Sequence, residues 1–66
     1  MNITVNGESR VLDEGITLAE LLDREIGGRR GTAAAVDGEV VPRGDWASFA
    51  IADGQAVELL TAVQGG

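Results

Sequence analysis

Gly65 and Gly66 follow directly on an apolar run, Ala56-Val57-Glu58-Leu59-Leu60-Thr61-Ala62-Val63. The run reads as a final β-strand, so the chain is expected to pass from a strand into two residues without a Cβ. Such a tail is thin and flexible, carries the terminal carboxylate, and can enter a narrow active site on another protein as a substrate does. The residues before Gly65 are strand-like rather than linker-like, which argues against an appended tag. Elsewhere the chain holds little with which to do chemistry. It has no cysteine, histidine, lysine or tyrosine, which removes disulfides, thiolate nucleophiles, imidazole bases and the commonest zinc ligands. Ser9, Ser48, four threonines and eleven carboxylates remain, with no base placed to activate a hydroxyl and no clustered acidic metal motif. Neither a catalytic residue nor a metal site is expected, and the chain is read as a non-enzyme.

Length and charge narrow the classes further. Sixty-six residues allow one domain, and a chain of that size buries only about 60% of its unfolded surface, too little for a deep cleft. The single domain is expected over residues 1–64, with 65–66 as the flexible tail. The formal charge is -6, and the arginines are dispersed apart from Arg29-Arg30, so a phosphate-tracking surface is not encoded and nucleic acid is a poor partner. An acidic surface suits basic patches on proteins and plain solubility about equally. No signal-like segment is present, and the apolar stretches fall far short of the roughly 20 residues of a membrane span. A cytoplasmic protein without a membrane partner is expected.

The elements that must carry the tail are legible in turn chemistry and periodicity. Asn2-Ile3-Thr4-Val5 alternates, Asn6-Gly7 supplies a type I′ turn, and Ser9-Arg10-Val11-Leu12 resumes the alternation, which makes a β-hairpin. Thr17 reads as a helix N-cap with Glu20 as its capping-box partner, and Leu18, Leu21, Leu22 and Ile26 share one helical face. Gly27-Gly28 stops the helix, and Gly27 to Thr32 reads as a solvated loop with Arg29-Arg30 at its tip. A second hairpin runs from Ala33 to Val36, through Asp37-Gly38, to Glu39-Val40-Val41, where Pro42 ends the strand. A short helical turn over Asp45–Phe49 is expected to lay Trp46 and Phe49 on the core, and Asp53-Gly54 turns into the last strand. The simplest closure pairs the first and last strands in parallel. The result is an α+β, β-grasp (ubiquitin-like) fold: a mixed sheet of about five strands with one main helix. Its core is expected to comprise Ile3, Val5, Leu18, Leu21, Leu22, Ile26, Val36, Val57 and Leu59, with Trp46 covering one end. Other five-stranded sheets with one helix satisfy the same element order.

With Val57 and Leu59 inward, the two-residue strand period turns Glu58, Leu60 and Ala62 to the opposite face and leaves Leu60 as an exposed apolar anchor for a partner. Val63 and Gln64 are expected to pair with a partner strand during docking.

Taken together, the Gly65-Gly66 ending, the β-grasp order, and Val40-Val41-Pro42-Arg43 followed by Trp46 resemble the ThiS/MoaD family, in particular its short carriers of sulfur for thiamine thiazole synthesis. The likeness spans the whole chain. Many carriers of the thiamine branch place a small or apolar residue where this chain has Gln64. The resemblance implies a sulfur carrier whose Gly66 carboxylate is adenylated by an ATP-dependent, E1-like activating enzyme, the ATP being used by that enzyme while the chain itself binds no cofactor. It further implies a sulfur-donating protein that converts the adenylate to a thiocarboxylate, and thiazole synthase as the acceptor. A molybdopterin-type sulfur carrier, or a ubiquitin-like modifier conjugated through Gly66, would use the same terminus.

Overall fold

The computed structural model describes residues 1–27 and 31–61. Asn2–Val5 (β1) and Glu8–Val11 (β2) form an antiparallel hairpin with Asn2 opposite Val11 and Val5 opposite Glu8. The turn residues Asn6 and Gly7 both have positive φ, 50° and 84°, the type I′ geometry whose twist matches that of the flanking strands. Thr32–Val36 (β3) and Glu39–Val41 (β4) repeat the device around Asp37 and Gly38, at φ 51° and 85°. A 3-10 helix, Arg43–Ser48, then leads to the last strand, Ala56–Thr61 (β5). The sheet order is β2-β1-β5-β3-β4, with β5 parallel to β1 and antiparallel to β3. This mixed sheet with one main helix is the β-grasp closure expected from the element order.

The helix, Leu18–Ile26 (α1), starts as its local sequence dictates. The Glu20 amide donates to Thr17 Oγ1 at 3.2 Å and the Thr17 amide donates to Glu20 Oε1 at 2.9 Å, a reciprocal capping box. Its end is set by Gly27, in the left-handed region at φ 70°, whose N–H donates to the Asp23 carbonyl. The start of α1 is tied to the segment after the 3-10 helix: Leu18 N–H donates to Phe49 O at 2.9 Å and Ile51 N–H to Ile16 O at 3.0 Å. On the other side of the domain Arg10 links β2 to α1, with Nη2 2.9 Å from Glu8 Oε1 and Nε 3.2 Å from Glu25 Oε1. These are solvated pairs of the kind that contribute little to stability.

The capping box carries a pH signature. Hydrogen bonds from the Thr17 backbone and then its side chain hold the Glu20 carboxyl below the usual glutamate range. A depressed folded-state pKa means that the stabilisation is present above the unfolded pKa and disappears as the pH falls through the folded one. The difference in thermal midpoint between the wild type and Glu20→Ala is therefore expected to be constant near neutrality and to narrow on acidification below the usual glutamate range. A difference that widened in acid would contradict this assignment.

Among the described residues the buried apolar side chains form one cluster. The sheet contributes Ile3, Val5, Ala34, Val36, Val41, Val57 and Leu59, the helix Leu18, Ala19, Leu21 and Leu22, and Ile16, Trp46 and Ile51 close one end. Among the described residues no helix is long and apolar enough to cross a membrane.

Four expectations need correction. Ile26 is 38% exposed and not in the core; it keeps the helical spacing of Leu18 and Leu22 but occupies the last position before the Gly27 cap, where the helix runs out past its apolar contacts. Thr32 belongs to β3 and is buried rather than part of a solvated loop. The second strand begins at Glu8, one residue earlier than the alternation suggests, because a two-residue turn leaves no spare residue. The helical turn begins at Arg43, because the carbonyl of Pro42 already accepts from the Asp45 amide at 2.9 Å and closes the first turn. Trp46 and Phe49 both pack on the core as expected, Trp46 enclosed and Phe49 partly buried.

Candidate functional site

The site is built on β5, the central strand. Val57 and Leu59 are buried beneath α1, while Glu58 and Leu60 face out on the opposite surface of the sheet. Leu60 is 71% exposed, as the strand period requires. In the neighbouring strands Ala33 lies opposite Leu60, Ala35 opposite Glu58, and Val40 opposite Ala35. Alanine at 33 and 35 leaves a depression between the taller side chains of Leu60 and Val40, the latter 76% exposed. The recess has a volume of about 180 Å³ and is lined by Asn6, Ala33, Ala34, Ala35, Val40, Glu58 and Leu60. Its walls are mostly apolar and face solvent, with Glu58 the one titratable group among them.

Both hairpin turns reach across to hold this strand. At its start, Asp37 Oδ1 accepts from the Ala56 amide at 2.9 Å and Oδ2 from Gln55 Nε2 at 3.3 Å, while the Asp37 amide donates to Ala56 O at 2.8 Å. Near its end, Asn6 Oδ1 accepts from the Leu59 amide at 2.8 Å and Asn6 Nδ2 donates to Leu59 O at 3.2 Å. The Asn6 carboxamide thus stands in for the residue of β1 that would have paired with Leu59 had the hairpin not turned at Val5. Without it a strand-edge donor and acceptor beside the recess would be left to solvent. Replacing Asn6 with glycine preserves the positive φ of the turn and deletes only this clamp. The Asn6→Gly variant is expected to lose about 1–2 kcal/mol and to exchange the Leu59 amide proton faster in hydrogen-exchange measurements. Unchanged protection at Leu59 would show that the clamp is dispensable.

Of the residues that the sequence assigns to a site, the structure places Leu60 on the open face. Ala62, Val63, Gln64, Gly65 and Gly66 lie outside the described residues, as do Gly28, Arg29 and Arg30. Sequence reasoning missed Val40, Ala33, Ala35 and Asn6. The first three carry a signal that alternation holds: with Val41 and Ala34 inward, Val40, Ala33 and Ala35 must turn outward. Asn6 carries none beyond its turn preference.

Comparison with known proteins agrees with the fold. The ThiS family matches residues 3–66 of the chain. The chain is 32% identical over 66 residues, covering all of both proteins, to the sulfur carrier protein ThiS of Escherichia coli (strain K12). Among solved structures it is similar to the thiamine biosynthesis protein (ThiS) from Geobacter metallireducens. The crystal form superposes with a TM-score of 0.83 at 33% identity, covering all of both chains. The solution structure gives 0.81 at 33% identity, covering all of this chain and 88% of the other.

Proposed function

The chain belongs to the ThiS family and is a sulfur carrier for thiamine biosynthesis rather than a catalyst, and from that premise we propose that its cargo is held on the Gly66 carboxylate as a thiocarboxylate. The observation that carries this reading is the extent of the family match, which runs through Gly65 and Gly66 to residue 66. A terminal carboxylate has a pKa of about 3.5 and is ionised at neutral pH. It is therefore a poor acyl electrophile until one of its oxygens becomes part of a leaving group. An adenylating, E1-like enzyme supplies that change. The carboxylate oxygen attacks the α-phosphorus of ATP, pyrophosphate departs, and the resulting acyl adenylate places AMP as leaving group on the Gly66 carbonyl carbon. Sulfur at the sulfide level, supplied by a sulfur-donating protein, then attacks the carbonyl carbon, and the C–S bond forms as the C–O bond to AMP breaks and AMP departs. The thiocarboxylate, a better nucleophile than the carboxylate, is delivered to thiazole synthase.

Every reactive group other than the carboxylate comes from these partners, which accords with a chain that lacks cysteine, histidine and lysine. All of them work in the cytoplasm in this reading. The exposed face of β5 around Leu60 supports the same picture, because a carrier has to be gripped before its end can be threaded.

The test is intact mass spectrometry after incubation with an adenylating enzyme, ATP and a sulfur donor. An oxygen-to-sulfur exchange at the C-terminal peptide is expected. The reading should be taken on that peptide, because oxidation of the single methionine, Met1, adds nearly the same mass to the whole chain. A C-terminal peptide that never gains sulfur, or that appears instead in stable high-mass conjugates with target proteins, would overturn the proposal.

A further inference from the structure

Charge is distributed unevenly over this domain. Asp, Glu and Arg make up 24% of the chain, yet the outward positions of the five strands carry a single charge, Glu58. Their other side chains are alanine, valine, leucine, serine, threonine or asparagine. Arg10, by contrast, pairs on the helix side of the sheet with Glu25 of α1. Glu58 takes part in none of the ion pairs that the described residues form, and it stands on the rim of the apolar recess between Leu60 and Val40.

We infer that this recess is a socket for a protein partner presenting one apolar side chain beside one basic side chain, the first seated over Ala33 and Ala35 and the second paired with Glu58. The inference rests on the carrier reading above and specifies the chemistry of the enzyme that grips the carrier. Three arguments select this occupant. An apolar partner alone would strip water from Glu58 and leave its carboxylate uncompensated, a penalty that a facing arginine or lysine removes. A second copy of the chain is disfavoured for the same reason: a two-fold contact sets the same patch on both subunits, and the outward strand positions offer no basic side chain to face Glu58. Distance supplies the third argument. Thr61 is the next residue after the Leu60 wall, and five residues separate it from the Gly66 carboxylate. At most about 3.6 Å per residue, they reach roughly 18 Å. A partner docked on the socket therefore has its acyl-activating centre within about that radius of the end of β5.

The test uses a purified adenylating enzyme, assayed with ATP and a sulfur donor for thiocarboxylation of the wild-type chain, with dissociation constants measured by calorimetry at low and physiological salt. Glu58→Arg is expected to weaken binding by about tenfold or more. Glu58→Gln should weaken it less and flatten the salt dependence. Ala35→Leu, which fills the recess, should weaken it equally at both salt concentrations. Circular dichroism melts verify that each variant is folded, and Ser9→Arg, on the same face but two strands away, serves as a control expected to bind normally. If wild-type chain is thiocarboxylated while Glu58→Arg and Ala35→Leu bind as tightly as it does, the socket is wrong and the carrier reading stands. If wild-type chain is never thiocarboxylated, the carrier reading falls and the socket with it. A dimer in sedimentation that Ala35→Leu dissolves would make a second copy the occupant and overturn the inference.

Discussion

Deletion of Gly66 is expected to cut thiocarboxylate formation by on the order of a hundredfold or more while leaving the thermal midpoint unchanged. The truncated chain still ends in a glycine carboxylate of the same intrinsic reactivity, so the effect isolates position. Removing one residue withdraws the reacting carbon by about 3.5 Å, and a displacement of even 1 Å from a productive geometry can cost about a hundredfold in rate. Stability is expected to be spared because, among the described residues, the core cluster lies between Ile3 and Leu59. The measurement is a time course of sulfur incorporation at the C-terminal peptide for both chains with the same enzyme, alongside melts followed by circular dichroism. Conversion of the shortened chain at the wild-type rate would place the cargo elsewhere.

The largest effect on the fold is expected from Trp46→Ala. Trp46 is 2% exposed and among the largest fully enclosed side chains, and truncating a buried tryptophan costs about 3–5 kcal/mol. A core of this size rarely supplies more than about 3–5 kcal/mol in total, so the variant should be largely unfolded at room temperature. Trp46→Phe separates two contributions. It keeps much of the ring's bulk, and with it part of the contact with Arg43, whose guanidinium carbon lies 5.6 Å from the ring centroid. It removes the indole N–H that donates to the Val41 carbonyl at 2.8 Å. Leaving that buried carbonyl without its donor should cost about 1–3 kcal/mol. Urea titrations followed by far-ultraviolet circular dichroism avoid reliance on the fluorescence of the residue being changed. A Trp46→Ala chain within about 1 kcal/mol of wild type would mean that the 3-10 segment repacks around the void.

The features readable from the sequence are those set by neighbours in the chain. Asn6-Gly7 and Asp37-Gly38 demand positive φ twice in succession, and Thr17 with Glu20 forms a reciprocal cap; each is decided within four residues. The parallel closure of β1 on β5 followed from the apolar character of the last strand and the helix between the hairpins. Ile26 shows where periodicity overreaches, since the helical pattern does not register that the helix has reached its end. Ile16 and Ile51 show the reverse. Both are buried, yet they lie outside the helix and the strands, where no period applies. For Ile16 a signal existed: it precedes the Thr17 cap, and Leu21 occupies the fourth helical position, the two places of a hydrophobic staple. The outward orientation of Leu60 was legible by alternation, but the recess beside it required the register between β5, β3 and β4, which is long-range information. The second duty of the turn residues was hidden for the same reason. Asn6 and Asp37 are explained locally by their turns, and only the fold reveals that each also grips β5, from opposite sides.

The strand in the middle of the sheet is also the last of the five to leave the ribosome. Until it emerges, the nascent polypeptide consists of two hairpins with no shared neighbour and a helix with half a floor, and the inner edges of β1 and β3 stay unpaired. A product of interrupted translation that stops before Ala56 therefore cannot close and is exposed to proteolytic clearance. Copies that survive such surveillance have been translated past Ala56, so folding itself screens out those that lack the strand leading into the C-terminal tail.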